Sequence, residues 1–124
     1  MPDITTRQDI ELLVDRFYEQ VIVDDIIGVF FTEVVRLDWE VHIPVMYDFW
    51  ETILLDHFVY KGNPMTKHIQ LNKQKKLEAQ HFERWLELWE KTVRTHFDGP
   101  TAEEAINRAK QIGSLMKFKV ENEG

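Results

Sequence analysis

Apolar residues recur every three to four positions along almost the whole chain, the period of an α-helix buried on one side. Ile10, Leu13, Val14, Phe17, Tyr18, Val21 and Ile22 form a first stripe, and Thr5 with Gln8 fits a capping box ahead of it. Gly28 interrupts the pattern and a short aromatic turn, 29–32, follows. A second helix is expected over about 38–57, with Asp38 as its N-cap and Val45, Met46, Phe49, Trp50, Ile53 and Leu54 on its apolar face. Pro44 is its weak point. A proline is comfortable only in a first turn, which would move the regular start to near Ile43 and leave His42 just outside.

The period stops between 58 and 64, where Tyr60-Lys61-Gly62-Asn63-Pro64 is turn chemistry. A short segment, about 65–71, carries His68, and a solvated stretch with Lys73, Lys75 and Lys76 follows. A long helix is expected over about 77–97, burying Phe82, Trp85, Leu86, Trp89 and Val93. Asp98-Gly99-Pro100 breaks the chain, and Thr101 with Glu104 reads as a second capping box. Ala105, Ala109, Ile112 and Met116 then mark a last helix before a polar tail. With no convincing strand alternation and no internal repeat, the class is all-α, one domain over 1–124 with its core at about 8–118.

Composition narrows the function. A net charge of -7 argues against nucleic acid or an anionic membrane as the main partner. The absence of cysteine excludes disulfides, zinc-thiolate sites, iron–sulfur clusters and covalent c-type haem attachment. No apolar run is long enough to span a bilayer, and Met1-Pro2-Asp3 does not open like a signal peptide, so a cytoplasmic protein is expected.

Candidate chemistry lies in the aromatic residues and histidines: Phe17-Tyr18, Phe30-Phe31, His42 with Met46 and Trp50, His68, and Trp85 with Trp89. An aromatic core that also carries a phenol, an indole N–H and two imidazoles needs partners for its polar groups. A flat ligand with a central metal, haem, accounts for both properties. Haem iron needs one neutral imidazole, and His68 sits in a short segment whose angle flanking loops can set. By residue type alone, however, Tyr18 and Trp85 also read as core aromatics, and His68 as a surface or hydrogen-bonded histidine. Glu78-Ala79-Gln80-His81 has the spacing of a di-iron bundle ligand pair, but no second copy exists.

The order of these residues closely resembles the group III truncated haemoglobins. Phe17-Tyr18 and Asp25-Ile26-Ile27-Gly28-Val29-Phe30-Phe31 are similar to that family's Phe-Tyr pair and first inter-helix turn. Trp39-Glu40-Val41-His42, Phe49-Trp50 and Leu54-Leu55 resemble its distal helix. Tyr60 to Pro64 leading into His68-Ile69-Gln70-Leu71 resembles its proximal segment. Phe82-Glu83-Arg84-Trp85-Leu86 and Arg108-Ala109-Lys110-Gln111-Ile112 match its last two helices.

The resemblance implies a shortened globin, a two-on-two helical sandwich around haem b. It implies His68 as the proximal ligand of a five-coordinate iron, Tyr18 and Trp85 as distal donors, and His42 as a distal gate. Met46 and Trp50 would line the distal wall, and Phe31 would meet the porphyrin. Lys61, Lys67, Lys73 and Arg84 are candidates for the propionates by charge alone, while Trp39, Phe49, Phe82 and Trp89 are assigned to packing. His57, His81 and His96 read as surface or satisfied core residues.

Three functions follow from this. The first is redox conversion or detoxification of small diatomic ligands (dioxygen, nitric oxide, carbon monoxide) or peroxide, with an unidentified electron donor. The others are reversible oxygen binding or sensing, and a cofactor-free helical interaction domain. Donors in the distal pocket favour the first, because they slow ligand escape.

Overall fold

The computed structural model describes residues 1–28, 39–57 and 79–123, with side chains described over 1–28, 42–57 and 79–118. Among these residues there are four helices: α1 (Arg7–Ile22), α2 (Trp39–Leu55), α3 (Ala79–His96) and α4 (Pro100–Glu123). α1 packs against both α2 and α3, α3 packs against α4, and α2 also touches α4. The result is two helix pairs laid over one another, an all-α arrangement. None of the described helices is long and apolar enough to cross a membrane.

The inward stripe of α1 is the one its sequence period marks. Ile10, Leu13, Val14, Phe17, Tyr18 and Val21 are all buried. α3 contributes Phe82, Leu88, Trp89, Thr92 and Val93. α4 presents small residues, Ala102, Ala105 and Ala109, with Ile106 and Met116. Small side chains on α4 let the large indole of Trp89 lie against its backbone, where Nε1–H donates to the Ala105 carbonyl at 3.1 Å.

Helix ends differ from the sequence expectation in three places. The capping box of α1 is Thr6 with Asp9, one residue beyond the expected Thr5 with Gln8. The Asp9 carboxylate accepts from the backbone N–H groups of both Thr5 and Thr6, at 2.9 and 3.1 Å. A charged acceptor at this position outcompetes the neutral amide of Gln8. α4 starts at Pro100, which places Thr101 inside the helix rather than at its cap. Its cap comes from the other end of the chain. The Asp3 carboxylate accepts from Thr101 N–H at 3.0 Å and from Ala102 N–H at 2.8 Å. The expected polar tail is helical as far as Glu123.

Asp3 also explains Gly99. This residue has φ 142°, and a Cβ there would lie 2.5 Å from the Asp3 Cγ. Asp98 N–H donates to the Pro2 carbonyl at 2.9 Å, and Ile4 is buried at 1% exposure. The N-terminal residues are therefore built into the corner between α3 and α4. A second junction is made by Asp24, which accepts from the N–H groups of Ile26 and Ile27, each at 3.0 Å, and from Arg84 Nε on α3 at 2.7 Å. Gly28 closes that turn beneath it; a Cβ would approach the Ile22 carbonyl oxygen to 2.9 Å.

Burial alone would raise the Asp3 carboxyl, but the backbone N–H groups of Thr101, Ala102 and Ile4 overcome it and hold the group below its ordinary value. A depressed folded value stabilises the fold above the unfolded aspartate value of about 3.9, and that stabilisation is lost as pH falls through the folded value. Asp3→Ala should therefore cost about 1 kcal/mol, the usual worth of a helix cap, in urea unfolding at neutral pH. The difference from the parent chain should shrink as pH is lowered through the acidic range. A constant difference down to full protonation would remove the carboxylate from the cap.

Candidate functional site

The last turns of α1 bring Tyr18 to the face of α2. Its ring is 9% exposed, and the Tyr18 Oη lies 3.3 Å from His42 Nε2. The two rings meet edge to face with centroids 5.5 Å apart. Burial pushes the Tyr18 phenol well above its ordinary value, so it keeps its proton throughout the neutral range. A phenol that stays protonated can donate a hydrogen bond, and which of the two groups donates in the Tyr18–His42 contact depends on the His42 tautomer.

The position of His42 corrects the expectation drawn from Pro44. α2 begins at Trp39, and Pro44 is accommodated inside it, so His42 is helical and bonded to Tyr18 rather than outside the helix. The carbonyl that Pro44 leaves without its amide partner belongs to Glu40, in the first turn. The missing bond therefore falls in the first turn of the helix, where its loss costs least.

Behind this pair the side chains form a continuous aromatic block. Phe17 stands edge-on to Tyr18 at 5.1 Å, to Trp85 at 6.0 Å and to Trp89 at 5.0 Å between centroids. Trp50 stacks on Trp89 at 4.3 Å with the planes 21° apart. Trp85 lies nearly parallel to Trp89 at 6.5 Å and 10°. Trp89 and Thr92 are fully engaged: the indole on Ala105, and the threonine hydroxyl donating to the Leu88 carbonyl at 2.6 Å while accepting from Gln20 Nε2 at 2.8 Å. Trp85 is only half-buried, and its indole N–H meets no acceptor among the described residues.

The expected site residues are thus partly gathered. Tyr18, His42 and Trp85 border the same aromatic block, with Met46 half-buried one turn beyond His42 on α2. Trp50 is deeper, 4% exposed and face-to-face with Trp89. Phe31 and His68 lie outside the described residues, as do Lys61, Lys67 and Lys73. Arg84 is committed elsewhere, paired with Asp24 at 2.7 Å and Glu87 at 3.1 Å. Of the di-iron alternative, Glu78 is outside the described residues, and no group of three or more acidic, histidine or cysteine side chains among the described residues could hold a metal ion.

Thr92 and Gln20 escaped sequence reasoning, because a buried threonine bonded across two helices has no local signature. Trp89 was legible as a packing residue, but its contacts with three other helices were not.

Comparison with known proteins agrees with this geometry. No protein-family model matches the chain. Among curated proteins it is similar to the Group 3 truncated hemoglobin ctb of Campylobacter jejuni, with 28% identity over 111 residues, 87% of this chain and 85% of that protein. Among solved structures it superposes on the crystal structure of group III truncated hemoglobin from Campylobacter jejuni with a TM-score of 0.83. That superposition covers 100% of this chain and 98% of the other at 26% identity. The fold is that of a shortened globin. In both sequence and fold, then, the chain is similar to a group III truncated hemoglobin.

The bond between Tyr18 and His42 should be measurable without any ligand. In a double-mutant cycle of Tyr18→Phe and His42→Leu, unfolding experiments should return a coupling of about 0.5–1.5 kcal/mol, the net worth of one intramolecular hydrogen bond. Strictly additive effects would mean that the two side chains do not hold each other.

Proposed function

We propose that the single domain formed by residues 1–124 binds haem b and takes up small diatomic ligands in the cytoplasm. Its role on this reading is redox conversion or detoxification of nitric oxide or peroxide rather than oxygen transport. The observation that carries the reading is the buried Tyr18 phenol tied to His42, bordering the same Phe17 ring as the unengaged indole N–H of Trp85. This donor set suits haem: the aromatic wall would take a flat apolar group, and the polar hydrogens could serve a small ligand held by it. When bound, haem supplies an iron that accepts dioxygen, nitric oxide or carbon monoxide.

The chain's own residues do the rest. His68 holds the iron through a neutral imidazole. Phe31, Met46 and Trp50 exclude water and shape the pocket. If His42 Nε2–H donates to the Tyr18 oxygen, the phenolic hydrogen is turned away from His42 and can serve a ligand in the pocket. Trp85 offers a second donor from a rigid frame. Both donors strengthen their bonds as negative charge builds on the ligand. Such a pocket retains its ligand, which suits chemistry on that ligand and is poor for its delivery. An electron donor, as yet unidentified, completes the cycle.

The purified protein should carry a Soret band, and His68→Ala should lose it, while His57→Ala, His81→Ala and His96→Ala keep it. A normal spectrum in His68→Ala would move the iron to another ligand. Further, Tyr18→Phe and Trp85→Phe should each speed dioxygen release about tenfold to a hundredfold in stopped flow, since one hydrogen bond to a partly charged group contributes about 1.5–3 kcal/mol. Unchanged rates in both variants would return these residues to core packing and favour a reversible binding module.

A further inference from the structure

The indole stack has a geometry that packing alone does not require. Trp85, Trp89 and Trp50 follow one another with near-parallel rings, 6.5 Å and then 4.3 Å between centroids. Tyr47 lies three residues before Trp50 on α2, a spacing that sets Cβ atoms about 5–6 Å apart on one helix face. Its phenol donates to the Asp15 carboxylate, and the Arg7 guanidinium sits over its ring, 5.6 Å from the centroid. Tyr47 is half-buried, so the series runs from the half-buried Trp85, through the buried core, to a phenol near the surface with its own proton acceptor.

We propose that Trp85, Trp89, Trp50 and Tyr47 form an electron-transfer path that draws reducing equivalents from Tyr47 to the haem pocket when the oxidant is hydrogen peroxide. The proposal rests on the haem reading above. Indole and phenol are the most readily oxidised side chains in this cysteine-free protein; the three indoles are stacked, and the last step to Tyr47 runs along one face of α2, so an electron can pass without net displacement of atoms.

Each intermediate site is suited to pass the charge on. The Trp89 N–H is held by the Ala105 carbonyl, too weak a base to take the proton, so an oxidised Trp89 stays a cation and recovers an electron from its neighbour. At Tyr47 the opposite holds. The guanidinium above the ring disfavours a ring cation, and Asp15 accepts the phenolic proton as the electron leaves, giving a neutral phenoxyl radical.

The balance is simple. One hydrogen peroxide accepts two electrons and two protons as its O–O bond breaks and two waters form. Two one-electron oxidations of Tyr47, each releasing one proton through Asp15, match it. A soluble one-electron reductant, such as ascorbate, restores the phenol after each of the two oxidations, and the proton returns with the electron.

The test uses the haem-loaded protein, its Soret band checked first, frozen at intervals after mixing with hydrogen peroxide and read by electron paramagnetic resonance. A tyrosyl signal is expected in the parent chain and lost in Tyr47→Phe. It should also be lost in Trp89→Phe, with the Soret band retained and oxidation products shifting to Trp85 in peptide mass spectrometry. Asp15→Asn should lose the neutral tyrosyl signal while keeping the stack. A tyrosyl signal that survives Trp89→Phe, or that disappears only in Tyr18→Phe, would overturn the path. If no Soret band forms, the haem reading fails separately. A photoexcited ruthenium complex with persulfate then decides the path: tyrosyl formation lost in Trp89→Phe supports it, and formation unaffected by that change overturns it.

Discussion

Trp89 is the point on which this fold depends, because all four described helices meet on its ring. α1 presents the edge of Phe17 to it, α2 lays Trp50 on its face, α3 carries it, and α4 receives its N–H at the Ala105 carbonyl. Losing a buried indole of this size costs about 3–5 kcal/mol, against a total domain stability of about 5–15 kcal/mol. The indole also has a direction. Its single donor fixes the ring about its own axis, and with it the planes of Trp50 and Trp85. A leucine could fill comparable volume, but it could not pass an orientation from α4 to α2.

That orientation is what brings the candidate site together. Tyr18 and Trp85 come from different helices, yet both border Phe17, which is itself held edge-on against Trp89. Polar groups near the block are satisfied where they are buried: Thr92 by Gln20 and Leu88, Trp89 by Ala105, Tyr18 by His42. Trp85 has no such acceptor among the described residues, and it is the indole at the less buried end of the stack. Its free donor is tolerable because the side chain is only half-buried, so water or a ligand can take the bond.

Much of this was readable in the sequence, for reasons that differ by residue. The α1 stripe needed only the 3.6-residue period, since every one of its buried positions recurs at helical steps. The α4 cap was beyond such reasoning, because Asp3 lies nearly the whole chain away from Thr101, and local grammar offered Thr101 and Glu104 instead. Pro44 misled in a similar way: the rule against internal proline is sound, but its cost falls on a carbonyl at the helix end, where it is small. In the candidate site, Tyr18, His42 and Trp85 stood out by type and order. Their relative placement depends on inter-helix packing around Trp89, which no spacing within a single helix encodes.

The polar seam between α1 and α2 bears on where the second helix ends. Arg7 reaches Glu11, Asp48 and the buried Glu51 at 3.3, 2.7 and 3.1 Å, and Glu51 also meets His57 Nδ1 at 3.3 Å. Most of these groups are partly solvated, so each pair contributes little to stability by itself. What they do is fix where α2 ends. Asp56 turns the chain with φ 60°, a backbone conformation that aspartate tolerates better than most side chains, and His57 is folded back onto Glu51. Beyond 57 the chain runs to Ala79, at the head of α3, and α3 is tied through Arg84 to Asp24. The stretch that bears His68 is therefore attached at both ends to points held by ion pairs and packed helices. A substitution at Arg7 or Asp24 would act first on the positions of those two ends.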